Sequence, residues 1–291
     1  MHAGLLTGTL MVPLLLFPRP APAQDAIVKS SDGKAAPAPV VPDWPFDARE
    51  AVRRQDAAAR ELGMPKELEL PLSDKVKLKL ILIPAGKFVA GSGVSPKAKK
   101  IDNVKEQEVI IPQSFYIGIY EVTQEQYEAI MGRNPAWIKG PANPVNTTKV
   151  RDEEEFCVKA SQKTGWAVRL PTSQEWEYAC RAGTATRFYF GDDPGQLGDY
   201  AWIKQNADLQ LFPVGLKKPN AWGLYDMYGN VWERTHDDST RSGYIWHSSS
   251  RADPATLISS SLVCGEKGAM PGAGFRVVVD VKTSTDKKGK P

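Results

Sequence analysis

The chain of 291 residues has few of the side chains that build redox and metal centres. It contains three cysteines and three histidines. An odd number of cysteines leaves at least one without a partner in an exported protein. Beyond the first two residues the histidines are His236 and His247, which lack the spacing of a metal-ligand pair on one helix. A surface or hydrogen-bonded role is favoured for both, and a centre built from several histidines is excluded.

The sequence also has no large excess of charge of one sign. The sequence has 37 Lys and Arg against 34 Asp and Glu, a formal net charge of +3. Basic residues cluster only at 97–100 and 282–290. We interpret these two runs as a solvated loop and tail. Nucleic acid is therefore not an expected partner.

The apolar run at residues 5–17 is too short to span a bilayer. Ala21 and Ala23 after it form an A-x-A type cleavage site, typical of a secretory signal over residues 1–23. The sequence thus predicts export to the periplasm or beyond, and no transmembrane segment. Residues 24–45 are rich in Pro and Ala and are predicted to be a disordered linker.

What the chain does contain is enough apolar surface for a sizeable core, with 42% hydrophobic residues and eight Trp. A helix and a lead-in strand are predicted over 46–78, a main domain over 79–280 and a basic tail over 281–291. Asp47 with Glu50 predicts the helix start and Gly63 its end. Its expected inward positions are apolar: Ala48, Ala51, Val52, Ala58, Ala59 and Leu62.

Alternation of Leu78, Leu80 and Leu82 with lysines and Ile81 predicts a strand with one buried face. Short strands are expected at 109–111 and 115–119. Three further helices are predicted. The first begins at a capping box of Thr123 with Gln126 and ends at Gly132, and the third begins at a capping box of Thr172 with Glu175 and ends at Gly183. The second covers residues 152–163, with Phe156 and Ala160 facing inward. Residues 191–210 are expected to be irregular loop.

The segment 219–234 combines two Trp and two Tyr with Gly223, Gly229 and Asn230, which indicates a folded turn with positive φ values. Asp226 and Glu233 place two carboxylates beside the Gly-Asn corner. Calcium prefers such oxygen ligands. The alternative is a hydrogen-bonded turn without an ion.

The same segment, read as GLYDMYGNVWE over 223–233, resembles the signature of the formylglycine-generating enzyme, or sulfatase-modifying factor, family. Other stretches are similar to that family in the same order, over roughly residues 79–280. They are LIPAGKF at 82–88, EVTQEQY at 121–127, RLPTSQEWEY at 169–178 and GFRV at 274–277.

The resemblance implies an α+β, C-type-lectin-like fold, with a short antiparallel sheet, two to three helices and much irregular loop. In that fold the first and last strands pair, which would bring residues 80–83 next to 275–278. It also implies a calcium site made by the side chains of Asp226 and Glu233 with the carbonyls of Gly229 and Val231. A disulfide between Cys180 and Cys264 is implied as well, with Cys157 left as a buried thiol.

Departures from the family pattern bear on activity. Members that make formylglycine hold copper(I) with two cysteines five residues apart, after an RGGSW stretch, and neither the stretch nor the pair is present here. Arg234 stands where the family has Trp, and Thr148 begins a TKV in place of VSW. Cys264 is the one remaining candidate for a catalytic thiol.

The sequence therefore predicts a non-catalytic binding or accessory module that holds structural calcium and no copper. Its partner would be a protein, a peptide or a glycan. The alternative is an oxidase, either one that makes formylglycine on sulfatases or another oxidative enzyme that uses Cys264. A related branch that holds iron with several histidines is excluded by the histidine count.

Overall fold

The computed structural model describes residues 43–92, 106–207, 210–236, 244–247, 263–264 and 273–281, and only the backbone at 204, 244–247 and 263–264. Several predictions fall outside these residues. They are the signal peptide, residues 24–42 of the linker, the basic run at 97–100 and the tail from 282. Of the segment 237–272, two short strands are described.

The described chain is an α+β fold, as predicted. The helices are α1 (Ala48–Leu62), α2 (Gln124–Met131), α3 (Val150–Thr164), α4 (Ser173–Arg181), α5 (Leu197–Tyr200) and α6 (Lys204–Ala207). The strands are β1 (Glu67–Pro71), β2 (Lys77–Ile83), β3 (Gly86–Ala90), β4 (Gln107–Ile111), β5 (Phe115–Gly118), β6 (Val168–Arg169), β7 (Trp232–His236), β8 (Tyr244–His247), β9 (Val263–Cys264), β10 (Ala273–Gly274) and β11 (Val278–Asp280). No described helix has the length and apolar character needed to cross a membrane.

A five-stranded antiparallel sheet with the order β1-β2-β5-β11-β6 forms the centre of the molecule. The expected pairing of residues 80–83 with 275–278 is wrong. Strand β5 lies between β2 and β11, and it pairs with both: Ile117 is opposite Ile81 on one side and Val278 on the other. The two ends of the domain therefore meet through a shared neighbour strand.

Two smaller sheets complete the fold. Strands β3 and β4 form a hairpin-like pair, and a four-stranded sheet has the order β10-β7-β8-β9. In the second of these, β10 runs parallel to β7, with Ala273 opposite Trp232. The strands β7 and β10, which precede and follow the segment 237–272, are thus paired with each other.

Both faces of the central sheet are buried. Leu78, Leu80 and Leu82 pack into one apolar cluster, while Ile81 and Ile83 pack into a second cluster on the other face. The prediction of a single buried face for β2 was therefore wrong at Ile81, which is 7% exposed. The lysines in the first half of β2 suggested one exposed face for the whole strand. Its second half is covered on that face by α1 and by residues 219–234.

The predicted helix caps are confirmed. Asp47 accepts a hydrogen bond from the backbone of Glu50, and Thr123 and Thr172 both form complete capping boxes. Helix α3 begins two residues earlier than predicted, after Lys149, whose side chain makes no capping bond. Residues 191–210 are not simply loop, because they include α5, α6 and a 3₁₀ turn.

The buried face of α1 differs from the prediction. Ala51 and the polar Gln55 are its buried residues, and Val52 is 42% exposed. The amide of Gln55 donates to the carbonyl of Leu82 at 2.8 Å, and the indole of Trp222 donates to the carbonyl of Ala51 at 3.2 Å. Polar contacts to backbone therefore attach α1 to the domain together with apolar burial.

Candidate functional site

The central turn, residues 219–234, lies in the interior and depends on positive φ values at several residues. Asp226 has φ of 55° and Asn230 has φ of 53°. At Gly229, with φ of 86°, a Cβ atom would lie 2.1 Å from the carbonyl oxygen of Trp202. Glycine is therefore required at this position both by its φ value and by the neighbouring backbone.

The amide side chain of Asn230 holds three chain segments together. Its oxygen accepts from the backbone N–H of Phe212 at 3.2 Å, and its nitrogen donates to Glu121 at 3.1 Å and to the carbonyl of Phe212 at 3.2 Å. Glu121 also accepts from the backbone N–H of Val231 at 3.3 Å. Glu121 is thus the buried support of the Gly-Asn corner.

Glu233 forms a buried ion pair with Arg276, and both side chains are fully buried. The guanidinium donates to the two carboxylate oxygens at 2.6 Å each, and the indole of Trp176 donates to one of them at 2.8 Å. Arg276 also donates to the carbonyls of Gly118 and Tyr225 at 3.0 Å each. This bidentate pair joins the central turn to β5 and to the chain before β11.

Asp226 is completely buried and only partly satisfied. Its Oδ2 oxygen accepts from the backbone N–H of Gly215 at 2.7 Å, while Oδ1 has no hydrogen-bond partner. Burial raises the pKa of Asp226 to about 6. Burial, and then the negative charges of Asp226 and Glu233, hold the pKa of Glu121 well above its ordinary value.

Three carboxylates, from Glu121, Asp226 and Glu233, thus surround one guanidinium in the protein interior. Fully ionised, these four groups carry two uncompensated negative charges, which is costly away from water. Protonation, which the raised pKa values of Asp226 and Glu121 favour, is one way to reduce this charge. A divalent cation at the free Oδ1 of Asp226 is a second way, and it would use one carboxylate of the predicted calcium set. Glu233 fits it less directly, because both of its oxygens already bind Arg276. No group of three or more His, Cys, Asp or Glu in the described part of the chain is arranged to hold a metal ion.

A second buried network includes two of the departures from the family pattern. Thr148 donates to Glu153 at 2.5 Å, and Glu153 pairs with Arg234 at 2.9 Å, with both charged side chains fully buried. Thr148 also lies 3.3 Å from the carbonyl oxygen of Ala273. The residues that replace family side chains at 148 and 234 therefore contact the same carboxylate, and they connect α3 to β7 and β10.

Two of the three cysteines have described side chains. Cys157 and Cys180 are both buried and free in the described structure, and the sulfur of Cys180 is hydrogen-bonded to Tyr228. Cys264, the predicted disulfide partner of Cys180, lies in β9 at the edge of the four-stranded sheet, and its side chain is outside the described residues. The Cys180–Cys264 disulfide therefore stays a prediction.

Sequence reasoning named Asp226, Gly229, Val231 and Glu233 as candidate residues but missed Arg276, the buried ionic partner of Glu233. Arg276 interrupts the apolar run AGFRVVV, and a charge in such a run needs a buried counter-ion. That signal could have pointed to Glu233. The role of Glu153 had no comparable signal, because it lies in a run of four acids that reads as a solvated helix face.

Most of the chain is similar to known proteins. Residues 70–281 match the model of the sulfatase-modifying factor enzyme 1-like domain. The chain belongs to this family. The match covers the central turn, both buried networks and all of the central sheet except the first part of β1.

Two curated relatives and one solved structure are similar to this chain. The chaperone protein LppX of Paenibacillus barcinonensis is 30% identical over 225 residues, which cover 56% of this chain and 79% of LppX. Bovine formylglycine-generating enzyme is 27% identical over 223 residues, 55% of this chain and 58% of the enzyme. The structure of Treponema denticola variable protein 1 has a TM-score of 0.64 at 21% identity and covers 75% of this chain and 100% of that one. The last comparison shows the fold alone.

Proposed function

We propose that this protein is a non-catalytic binding or accessory member of the sulfatase-modifying factor family. The observation that carries the proposal is the state of its cysteines. Burial raises the pKa of Cys180 to about 12 and that of Cys157 further. Copper(I) in this family needs two sulfur ligands at one place, and these two thiols pack in separate apolar clusters on opposite faces of the central sheet, so they do not form such a pair. With three cysteines in the sequence, only Cys264 is left for chemistry.

The name of the relative LppX, a chaperone protein, supports an accessory role on this fold. The buried networks support it in another way. They stabilise the turn and the two strands that flank the segment 237–272, so the scaffold of a recognition surface is kept without the family's cysteine pair. Fold and function separate readily in domains of this kind, because loops carry recognition while the sheet carries stability.

The alternative is an oxidase that uses Cys264, and one experiment separates the two. The purified protein is incubated with copper(I), dioxygen and a Cys-x-Pro-x-Arg peptide, and the peptide aldehyde is measured by mass spectrometry. We expect no conversion above the rate without protein, under conditions in which an active formylglycine-generating enzyme converts the peptide. Aldehyde formation that is lost in Cys264→Ser would establish the oxidase instead.

We also propose that the protein is exported and that its mature chain begins near Gln24. The apolar run at 5–17 and the A-x-A site support this. Expression of the full sequence in a bacterial host, followed by N-terminal sequencing of the protein outside the cytoplasm, tests it. Intact Met1 on protein that stays in the cytoplasm would contradict the proposal.

A further inference from the structure

Two neighbouring cavities open on the surface at one end of the central sheet. The first, of about 290 Å³, lies between β4 and the beginning of α4. The second, of about 250 Å³, lies beside the last turn of α1. Both are lined by residues 112–114 and by Val281. They are therefore two compartments of one groove, separated by the turn between β4 and β5.

Each compartment carries a net negative charge. In the first, Arg169 donates to Glu175 at 2.7 Å through two nitrogens and to Asp280 at 2.7 Å. Two carboxylates thus share one guanidinium, which leaves a formal charge of −1. The described lining of the second compartment contains one charged residue, Glu61, so this compartment also has a formal charge of −1.

Each compartment also presents one exposed aliphatic side chain. Ile110 lines the first and is 58% exposed, and Leu62 lines the second and is 37% exposed. Large aliphatic side chains at the surface are informative when they occur together with a cavity. An aliphatic wall beside an acid suits a lysine or arginine, which buries its methylene stem and keeps its charged head near a carboxylate.

The two compartments are adjacent, because residues 112–114 and Val281 line both of them. Side chains on one face of an extended peptide repeat every second residue, about 6.6 Å apart, so neighbouring side chains on that face can enter adjacent compartments. The groove also adjoins the candidate site. Thr172 lines the first compartment. Next to it, the carbonyl of Pro171 accepts a hydrogen bond from the backbone N–H of His236, and the hydroxyl of Ser173 is hydrogen-bonded to that of Thr235, both at the end of β7.

We propose that this groove binds an extended basic segment of a partner protein, with two Lys or Arg side chains, two residues apart, in the two compartments. The inference rests on the proposed function and gives the partner's chemistry: a basic peptide with aliphatic stems, recognised by Glu61, Glu175 and Asp280 together with Ile110 and Leu62.

The test titrates the full folded chain into a fluorescein-labelled peptide, Gly-Ser-Lys-Ser-Lys-Ser-Gly, at low salt and follows fluorescence anisotropy. Two comparison peptides replace both lysines by norleucine or by glutamate. Ile110→Lys and Glu61→Lys add positive charge to the first and second compartments. We expect Ile110→Lys to weaken binding of the lysine peptide about three- to fivefold, the upper range for one charge at an exposed site, and Glu61→Lys, which changes the charge by two, to weaken it more.

Matched control variants separate the groove from overall charge. Val158→Lys alters an aliphatic residue that is 55% exposed on α3, and Glu128→Lys alters an exposed acid in the last turn of α2, as Glu61 lies in the last turn of α1. Binding within about twofold of wild type is expected for both. The proposal is overturned if the control variants weaken binding as much as the groove variants do. It is also overturned if the glutamate or norleucine peptide binds as tightly as the lysine peptide, or if the lysine peptide does not bind.

The outcome is distinguishable from that of the proposed function. The probe contains no cysteine, so an oxidase of this family could not act on it. Aldehyde formation in the copper assay together with groove-dependent binding would remove the non-catalytic role and leave the groove. Absence of both would leave the non-catalytic role and remove this class of partner.

Discussion

Glu153 carries a carboxylate in the interior, next to the guanidinium of Arg234. Burial raises its pKa to about 8, against the attraction of Arg234 and the hydrogen bond from Thr148, which lower it. The folded-state pKa lies above the ordinary value of 4.5, so this group stabilises the fold fully below pH 4.5. That contribution is lost as the pH rises through 8.

We therefore expect Glu153→Gln to have a pH-dependent effect. Glutamine resembles the protonated acid, so it should cost little at pH 5. As the pH rises to 9 the variant should gain on the wild type, by at most about 1.4 kcal/mol for each pH unit. Thermal unfolding of both proteins between pH 5 and 9 checks this. A variant that loses more stability at high pH than at low pH would show a permanently charged pair instead.

Asp226 gives a second prediction at this scale. Its Oδ1 oxygen is buried without a hydrogen bond, so calcium should stabilise the folded protein. Calcium at about 100 times its dissociation constant adds about 2.7 kcal/mol to the free energy of unfolding. We expect a rise in melting temperature of about 5–10 °C in calcium relative to chelator.

The control for calcium binding uses two conservative variants. Asp226→Asn keeps an acceptor for Gly215 but removes the charge, and it should abolish most of the calcium effect. Asp199→Asn, at an exposed ion pair with Lys218, should keep it. Equal melting temperatures in calcium and chelator, or an unchanged calcium effect in Asp226→Asn, would count against the site.

At the scale of secondary structure, the helices show what local sequence determines. The capping boxes at Thr123 and Thr172 depend on residues three positions apart, so they could be predicted and are present. The buried face of α1 could not be predicted in this way. Gln55 faces inward because the carbonyl of Leu82, distant in sequence, needs a donor there, and no local pattern contains that information.

Gln55 therefore gives a prediction for α1 as an element. Gln55→Ala removes the donor to the carbonyls of Leu82 and Trp222 and should lower the free energy of unfolding by about 2 kcal/mol. Val52→Ala, at the exposed position on the same helix, should change it by less than about 0.5 kcal/mol. Urea unfolding of both variants measures the difference. Equal effects would show that α1 is held by apolar contacts alone.

For the whole molecule, the family and fold could be predicted from the ordered motifs, but the strand order could not. The place of β5 between β2 and β11 depends on two pairings, one between Ile81 and Ile117, 36 positions apart, and one between Ile117 and Val278, 161 positions apart. The buried charges follow the same rule. Arg276 and Glu233 lie 43 positions apart, and Glu153 and Arg234 lie 81 apart, so their pairing appears only once the chain is folded.

The family match begins at residue 70, yet the folded unit begins earlier. Strand β1 starts at Glu67 and covers one side of β2, and α1 supplies the carbonyl that accepts from Trp222. A fragment cut at the family boundary would leave the backbone N–H and C=O groups along one side of β2 without their strand partner. It would also uncover the apolar side chains beneath α1. Such an edge is a template for pairing with a second molecule, so the short leading segment also protects the domain from self-association.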